Sequence, residues 1–226
     1  MKTEVEENTD TLAKRYALLE TERDTYLQRA RDAALLTLPM LMPPEGHNYT
    51  SIYETPYQSV GSRGVNNLAS KLLLTLLPPN SPFFRLMIDD YDLAQVAGTE
   101  ARGAVEEALG RIERAGLQVI EGKAVRVPVF EALKQLIISG NALVYMPKDQ
   151  GMKVFRLDRY VIKRDAMGNV LEIITKESIS PLMLDADVRE LLTDPEDKNQ
   201  KNYDLYTKVC RKEKGWEVYQ EVQDIL

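Results

Sequence analysis

Apolar residues recur at helical spacing over much of the first 140 residues. The first such pattern begins after the polar cluster Asn8 to Asp10, which is typical of a helix N-cap, and Pro39 ends it. Its apolar positions, which we expect to face inward, are Leu12, Tyr16, Leu19, Tyr26, Ala30 and Ala33. The other face carries charged side chains that we expect in solvent or at a subunit contact: Lys14, Arg15, Glu20, Glu22, Arg23 and Arg29. The pattern predicts a long amphipathic N-terminal helix.

The segment "VGSRGVNNLASKLLLTLLPP" contains a second helical stripe, which Pro78 and Pro79 end. The positions that we expect to be buried are Val65, Leu68, Ala69, Leu72, Leu73 and Leu76. The apolar run is far shorter than the roughly 20 residues that a bilayer requires, so we exclude a membrane span. The glycines of "GSRG" could form an anion-binding nest. A single GxxG is more often the turn that begins a helix, and we expect Gly61, Gly64, Asn66 and Asn67 to be packing and turn residues.

Less regular segments flank this helix. Residues 39–55 contain three prolines and show no regular spacing of apolar residues, which predicts an extended loop. This loop includes His47. The segment "FFRLMI" (83–88) predicts a short buried strand. Asp89, Asp90 and Asp92 follow it. These aspartates indicate either the acidic N-terminus of a helix, the commoner case, or a cation site.

Two further helices are predicted between residue 101 and residue 140, where apolar residues keep helical spacing. The first covers Ala101 to Gly122, with an inward face formed by Val105, Ala108, Leu109, Ile112 and Ala115. Its end, "GLQVIEGKA", resembles a phosphate-binding loop but has the wrong glycine spacing, lacks Ser or Thr after Lys123, and follows a helix. The second is a buried helix from Arg126 to Gly140, with Pro128 in its first turn and Gly140 at its stop.

After Asn141 the apolar period becomes two, which predicts strands at 142–146, 153–157, 160–165 and 169–179 with a tight turn at Asp165 to Asn169. A short helix at 185–192, a polar loop and a hairpin (204–212 and 216–223) complete the pattern. The fold class is therefore α+β: a long N-terminal helix and helical core, then an antiparallel, hairpin-rich sheet. We divide the chain into a mainly helical part, 1–140, and a strand-rich part, 141–226. The chain stops directly after a strand, so we expect the sheet to be incomplete and the sequence to be a fragment.

Composition narrows the functional classes. The 29 basic residues against 35 acidic ones give a net charge of -6, so no global positive field favours DNA or an anionic membrane. From Leu184 onward, 11 acidic residues and 7 basic ones carry -4 of that charge. The N-terminus is acidic and has no apolar region typical of a secretory signal. One cysteine, Cys210, and one histidine, His47, exclude an intrachain disulfide and a Cys/His zinc cage within one chain.

The sequence contains no motif that predicts catalysis. HExxH, GxSxG and GxGxxG do not occur, and Glu106 and Glu107 fall on a predicted helix surface. We therefore predict no catalytic, cofactor-binding or metal-binding residue and no cofactor. One alternative stays open, a metal-dependent nucleic-acid enzyme that uses Asp89, Asp90 and Asp92. From the residues alone, we expect an α+β protein that works by assembling.

Three ordered blocks resemble a known family. They are "YETPYQSVGSRGVNNLASKLLLTLLPPNSPFFRL", "RVPVFEALKQLIISGNALVYMP" and "FRLDRYVIKRDAMGNVLEIITKESI". They look like the N-terminal region of the head-to-tail connector, or portal, proteins of T7-like short-tailed bacteriophages. The resemblance extends from about Tyr16 to about Ser180 and is looser after Leu184.

The resemblance implies a ring of identical subunits, usually twelve, at one capsid vertex. Double-stranded DNA is packaged and ejected through such a ring. The implied partners are the major capsid protein, the scaffolding protein, the terminase and the tail proteins, and the implied location is the virion, after assembly in the host cytoplasm. Within the ring this chain would supply the wing, with no membrane contact and no enzyme activity. The acidic balance agrees with a conduit along which DNA must slide, because strong neutralisation of phosphates would retain the DNA.

Overall fold

The computed structural model describes residues 11–47, 50–79, 81–89, 102–148, 150–184, 186–192, 202–213 and 215–222. The helices are α1 (Leu12–Leu35), α2 (Val60–Leu76), α3 (Arg102–Gly122), α4 (Arg126–Ser139) and α5 (Ala186–Leu192). The strands are β1 (Leu143–Tyr145), β2 (Lys153–Phe155), β3 (Tyr160–Arg164), β4 (Val170–Ile179), β5 (Tyr203–Lys212) and β6 (Gly215–Val222). The predicted α+β class is confirmed, with helices first and hairpins toward the C-terminus.

The strands form two antiparallel sheets. β1 and β2 pair as a small hairpin, and β3, β4, β5 and β6 form a second sheet in sequence order. The turn predicted between β3 and β4 is confirmed, because the Asp165 carboxylate accepts hydrogen bonds from the N–H groups of Met167 (2.9 Å) and Asn169 (2.8 Å). Gly168 has φ of 85°, a conformation that favours glycine. The turn residues therefore fix the β3–β4 connection locally.

The contacts divide the described residues into two compact units. The sheet unit comprises those within 1–29 and 156–226, and the helical unit comprises those within 30–155. The division therefore does not follow the order of element types along the chain. The first part of α1 belongs to the unit that contains the four-stranded sheet.

The core of the sheet unit lies between α1 and one face of the sheet. Tyr16 and Leu19 of α1 pack with Val161 and Ile174, which are register partners on β3 and β4. The Tyr16 ring meets the Tyr206 ring edge to face, with the centroids 5.5 Å apart. The apolar period of α1 thus correctly predicted that Tyr16 and Leu19 face inward, but not that the sheet is what they pack against.

The outward assignment of Arg23 and the inward assignment of Tyr26 were both wrong. Tyr26 is 63% exposed and Leu27 is buried in its place. Arg23 lies between Leu19 and Leu27 on the same stripe, and only 10% of its side chain is exposed. The stripe therefore centres on an arginine, which moves Tyr26 to its edge.

In the helical unit α2 packs against α4. Val65 and Ala69 are buried on α2, whereas Leu68 and Leu76, which we expected inside, are exposed. Gly140 ends α4 as predicted, with φ of 71° and its N–H donating to the Leu136 carbonyl over 2.9 Å. The helix boundaries were therefore predicted better than the buried faces.

The predictions for α3 and for residues 83–88 also require correction. Residues 83–88 form no strand and are largely exposed; they are extended, and the Leu86 N–H donates to the Glu113 carboxylate over 2.6 Å. α3 turns Val105, Leu109 and Glu113 toward the protein, so Ala108, Ile112 and Ala115 are exposed instead of inward. Both faces of α3 contain apolar residues, and therefore periodicity alone could not identify the packed face.

Candidate interaction surfaces

The candidate chemical residues that the structure describes are not grouped into a site. Among the residues that the structure describes, no three His, Cys, Asp or Glu side chains are grouped to hold a metal ion. Asp89 is described, whereas Asp90 and Asp92 lie outside the described residues. Glu106 and Glu107 are exposed and pair with arginines one turn away on α3. The His47 ring stacks on Tyr53, with 4.0 Å between the centroids.

The two glycine motifs are parts of helices. Gly61 and Gly64 lie in the first turns of α2, and a Cβ on Gly61 would be 2.5 Å from the Leu36 carbonyl oxygen. Gly61 therefore permits close backbone approach, which is the expected packing role. The loop-like segment that ends at Lys123 belongs to the C-terminal end of α3. The Lys123 ammonium donates to the carbonyls of Pro147 (3.4 Å) and Lys148 (2.6 Å).

A network of charges joins α1 to the sheet within the sheet unit. Arg15 donates to the Glu172 carboxylate, which also pairs with Lys208 at 3.3 Å. Burial acts to raise the pKa of Glu172, but the hydrogen bond and charge of Arg15, with the charge of Lys208, outweigh it. The pKa of Glu172 therefore lies below its usual value. Glu172 thus carries its negative charge in a largely buried position at ordinary pH.

Arg23 donates hydrogen bonds to backbone carbonyls at the start of β3 and in the turn before it. Its guanidinium donates to the carbonyls of Leu157 and Tyr160. Beside it, burial raises the pKa of the Tyr160 hydroxyl to about 12, against the opposing charge of Arg23. Sequence reasoning missed this residue, although its position on the apolar stripe of α1 was a usable signal.

Glu221 of β6 caps the N-terminal end of α1. Its carboxylate accepts hydrogen bonds from the N–H groups of Leu12 (2.7 Å) and Ala13 (3.2 Å), and the residue is only 3% exposed. Negative charge is favourable at a helix N-terminus, where backbone donors lack intrahelical partners. The acceptor comes from the far end of the sequence, so no local capping signal could predict it.

The helical unit leaves much of its apolar surface uncovered. Among its described residues, nine hydrophobic side chains are buried, whereas 20 large hydrophobic side chains are exposed. α3 has 21 residues and not one of them is buried. Exposed apolar side chains in this number are more typical of a binding surface than of a catalytic site.

No helix in the described part of the chain combines the length and hydropathy needed to cross a membrane. The charge networks of the sheet unit are internal, whereas the helical unit exposes its apolar side chains. Exposed apolar side chains of this kind are typical of proteins that bind other proteins.

Comparison with known proteins identifies the family. The sequence model for "Bacteriophage head to tail connecting protein" matches residues 9–225, and the chain belongs to this family. It is similar to the portal protein of Enterobacteria phage T3, with 42% identity over 219 residues, 93% of this chain and 41% of that protein. It is also similar to the portal protein of Escherichia phage T7, with 39% identity over 218 residues, 92% of this chain and 40% of that protein.

A more distant relative is the portal protein of Enterobacteria phage SP6, which is 30% identical over 217 residues, 90% of this chain and 40% of that protein. The chain thus spans about two fifths of the length of the curated relatives that it matches.

Proposed function

We propose that this chain is the wing part of a subunit of a phage portal, the ring at one capsid vertex. The observation that carries the proposal is the family match over residues 9–225, which covers both units. The exposed apolar side chains of the helical unit support it, because a ring subunit must cover such surface with its neighbours. The proposed role is structural and requires no cofactor or catalytic residue.

The division into a mainly helical part of the wing, 1–140, and a strand-rich part, 141–226, stays a prediction. The proposed ring contains twelve copies, and double-stranded DNA passes through its channel during packaging and ejection. The proposed partners are the major capsid protein, the scaffolding protein, the terminase and the tail proteins. The proposed location is the virion, after assembly in the host cytoplasm.

The test is the assembly state of the full-length protein. We expect size-exclusion chromatography at micromolar concentration to give one large species and electron microscopy to show annular particles. A strictly monomeric full-length protein under these conditions would contradict the proposal. A nuclease and nucleotide-turnover assay with Mg²⁺ on the same sample addresses the open enzymatic alternative. Cleavage that is lost on Asp89→Ala would favour that alternative.

A further inference from the structure

The two most exposed large hydrophobic side chains among the described residues of the helical unit lie on the loop before α2. Ile52 is 94% exposed and Tyr57 is 110% exposed. Met40 and Val60 are also exposed, and with Tyr57 they line one groove beside Tyr53. We call Met40, Ile52, Tyr57 and Val60 the loop surface. Such protruding side chains are costly in water and indicate that a partner covers them.

An apolar cleft lies elsewhere in the same unit. It has a volume of about 500 Å³ and follows the end of α2, the extended residues 81–83 and the α3–α4 junction. Its apolar walls are formed by Leu77, Phe83, Leu117, Ile120, Val125 and Val127. Glu121 and Arg126 also line the cleft, so it offers an acceptor and a cation near its apolar walls.

The two surfaces match in chemistry. Tyr57 has an apolar ring and a hydroxyl that needs a partner once buried. The cleft supplies apolar walls for the ring and the Glu121 carboxylate as an acceptor for the hydroxyl. Tyrosine is also among the residues that contribute most to binding when they fill a desolvated pocket.

The loop surface is large enough for a stable contact. Tyr57 provides roughly 200 Å², and each of the three aliphatic side chains provides about 100 Å². Scaled by the exposed fraction of each residue, these areas give roughly 430 Å² of apolar surface. A standard interface buries about 800 Å² per partner, of which about 57% is apolar, or roughly 450 Å². The apolar area of the loop surface is therefore that of one standard interface.

We propose that the loop surface of one copy docks in the apolar cleft of the next copy. This inference rests on the proposed function, because it names the contact by which identical subunits build the ring. Two different surfaces of one chain that fit each other form a head-to-tail contact. When the rotation between neighbouring copies closes, repeating this contact builds a ring that leaves no loop surface uncovered.

The test uses two single variants of the full-length protein and a matched control. Tyr57→Asp removes the aromatic side chain of the loop surface. Val127→Asp places a charge in the cleft, at a position that is 73% exposed in the first turn of α4, where Asp is tolerated. Met167→Asp adds the same charge at an exposed turn of the sheet unit and serves as control. Circular dichroism verifies that each variant is folded.

Mass photometry then gives the assembly state at a series of concentrations. We expect Tyr57→Asp and Val127→Asp each to raise the concentration needed for assembly at least about 30-fold, and the control to behave as the wild type. Mixing the two variants leaves one intact loop surface and one intact cleft per pair. The mixture should therefore form dimers, and neither variant alone should do so.

The outcomes distinguish this contact from the proposed function. Rings of wild type and of both variants at equal concentration would overturn the docking contact and leave the portal function standing. The docking contact would also be overturned if the variants assembled normally but failed to enter capsid shells, because the occupant would then be the shell protein. A wild-type protein that stays monomeric would overturn both.

Discussion

Gly61 offers a test of the helical unit in which two substitutions in one helix should have opposite effects. A Cβ at Gly61 would be 2.5 Å from the Leu36 carbonyl oxygen and 3.0 Å from the Thr37 methyl group. A Cβ at Gly64 would have no atom within 4 Å. Neither glycine has a positive φ, so alanine strains neither backbone. The two sites therefore differ mainly in the space that is available to one methyl group.

The expected changes in the free energy of unfolding follow from this difference in space. Replacing a helical glycine with alanine stabilises by about 0.5–1 kcal/mol. Gly64→Ala should therefore raise the free energy of unfolding by about that amount. Gly61→Ala gains the same helix stabilisation, but its methyl group forces the neighbouring backbone apart. Overpacking of this kind costs about 1–3 kcal/mol. Because both variants gain the same stabilisation from replacing a helical glycine, Gly61→Ala should be less stable than Gly64→Ala by about 1–3 kcal/mol.

Urea unfolding of the 226-residue chain, followed by far-UV circular dichroism, measures this difference. Thermal melting provides a second readout, with a shift of about 2–4 °C per kcal/mol for a chain of this size. All three proteins are compared at one concentration, so that any association affects them alike. If Gly61→Ala proves as stable as Gly64→Ala, the close approach of α2 to Leu36 is not what requires glycine.

Three further predictions concern the sheet unit. Glu221→Gln should lower the free energy of unfolding by about 1–2 kcal/mol in urea titrations, because the N-terminus of α1 loses a charged cap; an unchanged value would refute the cap. The lowered pKa of Glu172 stabilises the fold above the unfolded value of 4.5, and this stability is lost as pH falls through the folded pKa. Glu172→Gln should therefore reduce the loss of stability on acidification in urea titrations at a series of pH values, and a loss equal to that of the wild type would contradict this role. The difference between the 295 nm absorbance titrations of the wild type and Tyr160→Phe should show Tyr160 ionising near pH 12, and its stabilisation should be lost as pH rises from 10 toward 12. A difference centred near pH 10 would show that the hydroxyl is not buried.

Local signals predicted the boundaries of most elements. Gly140 ends α4 because a left-handed residue stops a helix, and the residues Asp165 to Asn169 form a turn within their own segment. These features depend on a few neighbouring residues, which a sequence displays directly. The family resemblance rested on segments that contain these same signals.

Helix faces and long-range caps were harder to predict, since they depend on distant partners. Both faces of α3 are apolar, so the choice between Leu109 and Ile112 depends on what packs there, which in the structure is the extended segment after α2. Charged residues usually face solvent, but Arg23 is buried because its guanidinium donates hydrogen bonds to two backbone carbonyls. The Glu221 cap joins residues that are 209 positions apart.

The two units contain different kinds of residue environment. Substitutions in one unit should therefore change stability, and substitutions in the other should change assembly. In the sheet unit, buried charges such as Glu172 and Arg23 have partners within the chain, so substitution there should change folding. In the helical unit, side chains such as Ile52, Tyr57 and Ile112 are exposed, so their replacement should leave folding almost unchanged. A replacement that changes assembly while leaving stability unchanged would then indicate a surface that a second molecule covers. A subunit whose exposed residues alter assembly without altering stability is what a ring of separately folded copies requires.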